Sequence, residues 1–261
     1  LKTGSNPELA NCNFKRFVLV REPDDNYKLN CATIKEITGG NKINARLNHS
    51  NDTDTNLNLT LIMECNEKPK LSEVNDAIRR RILDIPFNSS FVESHIYNKL
   101  DEDEKSNIFV GDVYFKSNEF KEKYKQALFE LLIVHYKAFY TNKSQLTIPN
   151  IIYDRNNNYM ADSDEIFNMV DEVLIKTSDK KDVIKLKELY EILKGNDIFI
   201  NMSKEKKRNF NYKNFCSKLE NNIFFKKYVG DDIYKVKILK CYKLKDLDDE
   251  GQYNLNSGLD N

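Results

Sequence analysis

No stretch of this sequence approaches the roughly 18 uninterrupted apolar residues that a membrane-crossing helix needs. The best candidate, Leu128 to Tyr140, is broken by Glu130, His135 and Lys137. No signal-peptide pattern follows Leu1 either, so the expectation is a soluble, intracellular chain that is not secreted and has no membrane partner. Net charge is also lacking, with 41 basic against 41 acidic residues, so only local clustering could point to a nucleic acid. The five cysteines (Cys12, Cys31, Cys65, Cys216, Cys241) are odd in number and contain no CxxC pair. That argues against a disulfide framework or a zinc ribbon and indicates a reducing compartment. His49, His95 and His135 share no metal-ligand spacing. Glycine is scarce at 8 residues, and nowhere does Gly-x-x-x-x-Gly-Lys-Ser/Thr occur, so the chain carries no phosphate-cradling loop.

What is present can build a core. Of 261 residues, 40% are apolar, including 15 Phe and 14 Tyr, which lies far from the composition of disorder. The 33 asparagines are consistent with AT-rich coding. They also make Asn-x-Ser/Thr matches at Asn51, Asn58, Asn88 and Asn142 expected by chance, and none is read as a glycosylation site.

Strand and helix patterns alternate, which argues an α/β architecture. Residues 14–21 form an apolar, β-branched run that stops at Glu22-Pro23-Asp24-Asp25. A helix is predicted over Asn30 to Glu36, ended by Thr38-Gly39-Gly40-Asn41. Two strands, Lys42 to Leu47 and Asn56 to Glu64, flank a polar tip. Residues 73–81 read as helix and Ile82 to Phe87 as extended. Helical spacing is strongest over Asn118 to Tyr140. Residues 141–160, polar and containing Pro149, read as a linker between an N-terminal domain (1–140) and a C-terminal one (161–245), with an acidic, disordered tail over 246–261. In the C-terminal domain three helices precede strands Ile223 to Val229 and Ile233 to Tyr242, a winged-helix-like order. From Lys204 to Lys245, 13 Lys/Arg stand against 4 Asp/Glu, with aromatic residues interleaved. Such a region, Lys206-Lys207-Arg208 included, can hold phosphates and stack bases. Its alternative is a solvated basic face.

A strand ending in a carboxylate, as at Glu22, can place a hard oxygen ligand beside Mg²⁺ or a water. Asn66, just beyond a second apolar strand, can hydrogen-bond a phosphate or an attacking water. Arg80 and Arg81 can offset charge in a phosphoryl-transfer transition state. Taken alone, each feature is better read as a solvated polar residue at a strand or helix end. Their order carries more: an acid after a strand, Thr-Gly-Gly, a hairpin, an Asn after a strand, then an Arg run.

In that order, residues 15–92 resemble the superfamily 3 helicase domain, and more narrowly the poxvirus-type primase-helicases of large DNA viruses. The likeness continues loosely through Leu146 to Pro149 and Tyr159 to Asp164. It implies an α/β fold: a partial AAA+-like helicase core followed by a helical, winged-helix-like C-terminal domain. Glu22 matches the Walker B acid that serves Mg²⁺ and the water, and Asn66 matches sensor 1. Arg80 and Arg81 match the Arg-Arg pair whose finger reaches a neighbouring subunit. Lys35, Arg46 and His49 fall in the segment around the central hairpin that contacts single-stranded DNA. Two departures stand out: Asn41 replaces a usual acid, and Arg21 stands where a second Walker B acid is common.

The family's phosphate loop would lie before Pro7, so the chain reads as starting after it. The implied function is an ATP-dependent, Mg²⁺-using replicative DNA helicase, a homo-hexamer on single-stranded DNA in the cytoplasm or at a viral replication site, with Walker A supplied by an upstream polypeptide. The competing reading is a DNA-binding or assembly module without activity of its own, or a decayed remnant.

Overall fold

The computed structural model describes residues 7–21, 28–40, 42–45 and 54–246. Two compact units divide the chain, one made of residues up to 83 and from 156 onward, the other of residues 84–155.

After a helical turn, α1 (Pro7–Ala10), strand β1 (Phe17–Arg21) leads to helix α2 (Cys31–Ile37). The Asn30 side chain caps α2 by accepting from the backbone N–H groups of Ala32 and Thr33, satisfying two of its orphan donors. Strands β2 (Lys42–Asn44) and β3 (Asp54–Asn56) form an antiparallel hairpin, and β4 (Thr60–Glu64) follows. The single strand expected over residues 56–64 is therefore two strands in two sheets. Leu57 divides them, because it turns in to pack with Ala45, Leu9 and Ile37. The Thr55 hydroxyl donates to the Ala45 carbonyl at 2.8 Å and holds that corner. Strand β4 instead pairs with β1 in parallel, Phe17 opposite Thr60 and Arg21 opposite Glu64. Helix α3 (Asp76–Arg79), capped by Asn75, follows. It is shorter than the pattern predicts, and residues 82–87 pair with no strand among the described residues.

In the second unit β5 (Ser90–Val92) and β6 (Ile108–Val110) pair in parallel around α4 (Ser94–Tyr97). The Phe91 and Phe109 rings lie 5.8 Å apart across that pair. A 3-10 turn, Val113–Lys116, leads to α5 (Asn118–Thr141). Phe120 on α5 packs edge-on against Tyr114 and Phe115. The apolar residues of α5 run round most of its circumference, and none of them is buried.

The stretch expected as a linker contains helix α6 (Asn150–Asp162), with Asn156, Tyr159 and Met160 buried. Its polar composition hides a narrow apolar seam. Tyr159 and Met160 close over Cys31, Leu71 and Ile78, and Ile223 and Phe224 pack on the same cluster. The Tyr159 hydroxyl donates to the Pro69 carbonyl, and the Asn156 amide to the Ile82 carbonyl at 3.0 Å.

The largest core lies beyond. Helix α7 (Glu165–Val173) runs into β7 (Leu174–Lys176), and β8 (Val183–Lys185) into α8 (Leu186–Leu193). Leu174 and Ile175 at the end of α7, and Val183 to Lys185 before α8, continue the helical spacing in sequence, yet they form strands because β11 and β10 are there to pair with them. Short helices α9 (Asp197–Ile200) and α10 (Lys204–Asn209) precede α11 (Tyr212–Asn221), then β9 (Val229–Asp231), β10 (Lys237–Lys240) and β11 (Tyr242–Leu244). Strand order is β8–β10–β9, all antiparallel, with β11 on β7. Met169, Val170, Leu186, Leu189, Leu193, Phe215 and Leu239 are fully buried here, each worth about 1.5–3 kcal/mol of burial. The hairpin is displaced from its predicted place, because Phe224 and Phe225 turn inward onto Phe167 instead of extending as a strand. Its turn is Asp232 to Val236.

Candidate functional site

Parallel pairing brings the carboxyl ends of β1 and β4 to one edge. In the last register pair, Arg21 Nε sits 3.3 Å from a Glu64 carboxylate oxygen, both side chains exposed. Arg21 is thus engaged with the neighbouring strand. Asn66, exposed, lies two residues beyond Glu64 at this edge. Glu22, the residue after β1, lies outside the described residues, as do Asn41, Arg46 and His49.

The arginine pair sits at the end of α3. Arg80 Nε donates to the Asp76 carbonyl at 3.2 Å and is otherwise exposed. Arg81 reaches further: Nη1 donates to the Ala77 carbonyl at 2.8 Å and Nε to the Thr38 hydroxyl at 3.0 Å. Thr38 is the C-cap of α2, and its hydroxyl donates to the Ile34 carbonyl at 2.6 Å. Two motifs 43 residues apart, Thr-Gly-Gly and Arg-Arg, therefore meet in space. Lys35, on α2, forms an ion pair with Glu73.

Among the C-terminal candidates, Lys206 pairs with Glu165 at 2.5 Å. Burial pushes the Glu165 carboxyl up, but the bond to Lys206 and the charges of Lys206, Lys28 and Lys218 outweigh it and hold the group below its ordinary value. Lys206 and Glu165 edge a cavity of about 420 Å³ whose wall also holds Lys28, Lys70, Asn168 and Asn201. Lys207 donates to the Ile200 carbonyl at 2.5 Å and lies over the Phe199 ring. Arg208 points outward, exposed.

Sequence reasoning passed over the outer face of α11. Phe215 and Leu219 fix its inner face, which leaves Lys213, Asn214, Ser217 and Lys218 exposed together. The i, i+4 spacing of 213/217 and 214/218 was the available signal.

No family model matches the chain. Over 192 residues, 72% of its length, it is 23% identical to "Putative helicase L207/L206" of Acanthamoeba polyphaga mimivirus. Over 166 residues, 60% of its length, it is 25% identical to "Putative helicase 121R" of Invertebrate iridescent virus 3. The matches cover 20% and 18% of those proteins, so the chain spans about a fifth of their length. It is distantly similar to proteins of large DNA viruses that are named as helicases. Among the described residues no helix is long and apolar enough to cross a membrane.

Proposed function

We propose that this chain is part of an ATP-dependent DNA helicase of the superfamily 3 type, acting in the replication of a large DNA virus. The observation that carries this reading is the parallel, in-register pairing of β1 with β4. It sets the end of β1, after which Glu22 stands, level with the strand end that precedes Asn66, the two positions the resemblance assigns to Walker B and sensor 1. The Arg81–Thr38 hydrogen bond adds a second link between motifs distant in sequence. The distant similarity to viral proteins named as helicases supports the same class.

The donors on this chain fit one side of a nucleotide site. An acid that follows β1 in the sequence and an amide just beyond β4 suit the side facing Mg²⁺ and water, while the backbone cradle for the phosphates is not encoded in these residues. Mg²⁺-bound ATP supplies the phosphoryl group for transfer. On this chain Glu22 would hold the metal and the water, Asn66 would orient the water through its amide, and Arg80 would extend toward a neighbouring subunit's nucleotide in a homo-hexamer. The phosphate loop is supplied from outside these residues. In support, among the described residues the β1–β4 sheet has two strands, and Phe17, Leu19 and Ile62 stand exposed on one face. Parallel sheets are otherwise covered on both faces. Residues 165–245 form a winged-helix-like nucleic-acid-binding domain, a reading supported by the β8–β10–β9 order, in which the strand between α7 and α8 joins the hairpin after α11.

The test is ATP hydrolysis, with and without single-stranded DNA, by this chain mixed with the polypeptide encoded immediately upstream. DNA-stimulated turnover that Glu22→Gln abolishes is expected. No turnover with both pieces folded would favour the second reading, a DNA-binding module, which the well-packed core of residues 166–244 already allows.

A further inference from the structure

The two most exposed large hydrophobic side chains described in the first unit are neighbours, Ile233 at 88% and Tyr234 at 79%. They stand at the tip of the β9–β10 hairpin, and that tip is built. The Asp232 carboxylate accepts from the backbone N–H of Tyr234 and of Val236, both at 2.8 Å. The Asp232 N–H donates to the Val236 carbonyl at 2.9 Å, and the Lys235 N–H to the Asp232 carbonyl at 3.1 Å. Lys235 is held at φ +59°, a left-handed conformation that a lysine adopts only when its surroundings impose it. Four hydrogen bonds in five residues therefore fix the backbone that carries two apolar side chains in water, so the ordering cost of the turn is already met in the free protein.

The surroundings are positive. Lys237 bridges Glu220 at 2.8 Å and Asp231 at 3.3 Å, which also pins the hairpin base to the last turn of α11. With Asp232 satisfied by backbone N–H groups, three of the four acids between residues 204 and 245 are engaged internally. Lys235 lies exposed at the tip, and the Lys240 ammonium lies against Gly230 on the hairpin itself. Bonding to Lys176 draws the Tyr228 phenol, at the foot of the hairpin, below its ordinary value against the opposing effect of burial, and Lys227 adds to the pull. An apolar protein surface gains nothing from such a rim, whereas a polyphosphate carrying an exposed base face matches both features.

We infer that the hairpin tip is a base-stacking wedge: Tyr234, backed by Ile233, covers the exposed face of an unpaired or terminal base while Lys235 and Lys240 hold the flanking phosphates. This rests on reading residues 165–245 as a nucleic-acid-binding domain and is independent of ATP hydrolysis.

The test uses the full chain without nucleotide. It measures affinity for a single strand, a blunt duplex and a forked duplex bearing 2-aminopurine at its junction, over a salt series. Wild type should quench the 2-aminopurine on binding. Tyr234→Ala should remove the quench and weaken fork and single-strand binding about tenfold at unchanged salt slope, since stacking is not ionic. Tyr234→Phe should retain both properties, and Lys235→Ala should lower the slope by about one, as for one lost phosphate contact. Failure of wild type to bind any of the three, or a Tyr234→Ala protein of unchanged affinity and quench, would overturn the wedge. Because both side chains are exposed, the variants should melt like wild type. A silent ATPase mixture beside a positive binding result would remove the helicase reading alone.

Discussion

Lys226, in the basic C-terminal region, forms an ion pair with Asp76, 150 residues earlier, in the first turn of the helix that ends at Arg80 and Arg81. The bond to Lys226 holds the Asp76 carboxyl below its ordinary value, against a smaller effect of burial, and Arg79 and Arg80 contribute charge. Asp76 also bonds Arg79 at 2.9 Å. One carboxylate thus ties the arginine segment to the loop after α11.

A pH dependence follows. Since Asp76 is more acidic folded than unfolded, its stabilisation is fully present above the ordinary carboxylate value and is lost as pH falls through the lowered folded-state value. The Tm difference between wild type and Asp76→Asn should be largest near neutrality and vanish in strong acid. A difference that grows on acidification would refute the pairing. Its size should be small, because both side chains are well exposed and the pair is screened.

Tyr159→Phe removes the buried hydroxyl that serves the Pro69 carbonyl. An acceptor stripped of its partner in a dry site costs about 1–3 kcal/mol. Urea unfolding should show that loss with an unchanged m-value, because no surface is added or removed.

At the hairpin tip, Lys235→Gly relieves the left-handed backbone and should raise stability by about 0.5–1 kcal/mol after the entropy glycine adds to the unfolded chain. Asp232→Ala removes two acceptor bonds and should cost about 1–2 kcal/mol. Thermal melts of the two variants should move in opposite directions.

The two arginines should separate. Arg80→Ala should lower turnover in the reconstituted ATPase by about 10³-fold or more, as expected for an arginine finger, with the melting temperature retained. Mixing with Glu22→Gln subunits should restore part of the activity, as a site built from the acid of one chain and the finger of another requires. Arg81→Ala also breaks the Thr38 bond and should lower the melting temperature. Absence of rescue at every mixing ratio would exclude a site shared between subunits.

Much of the local structure was legible. Asn30 before an apolar-periodic run marked the start of α2, and the spacing of Phe120, Tyr124 and Leu128 marked α5. The pattern failed where one face decided the outcome. Leu174 and Ile175 continue the periodicity of α7 but form β7, because β11 is there to pair with. Asn150–Asp162 looked like a linker because only Asn156, Tyr159 and Met160 of its 13 residues face inward. Of the candidate site, Asn66, Arg80 and Arg81 were named from order along the chain, whereas the hairpin tip gave no signal beyond an ordinary Asp-Ile-Tyr-Lys.

By itself the sequence determined the alternation of strands and helices, the basic, aromatic C-terminal stretch and the absence of a phosphate loop, since these depend on composition and on neighbours within a few residues. Only the tertiary structure decided that β4 leaves its hairpin to lie parallel to β1, that Arg81 meets Thr38, that Lys206 pairs with Glu165 and Lys207 with the Ile200 carbonyl, and that Tyr234 stands in water on a closed turn. Each of these depends on a partner tens of residues away or on a backbone turn closed by one carboxylate, and no local periodicity encodes either.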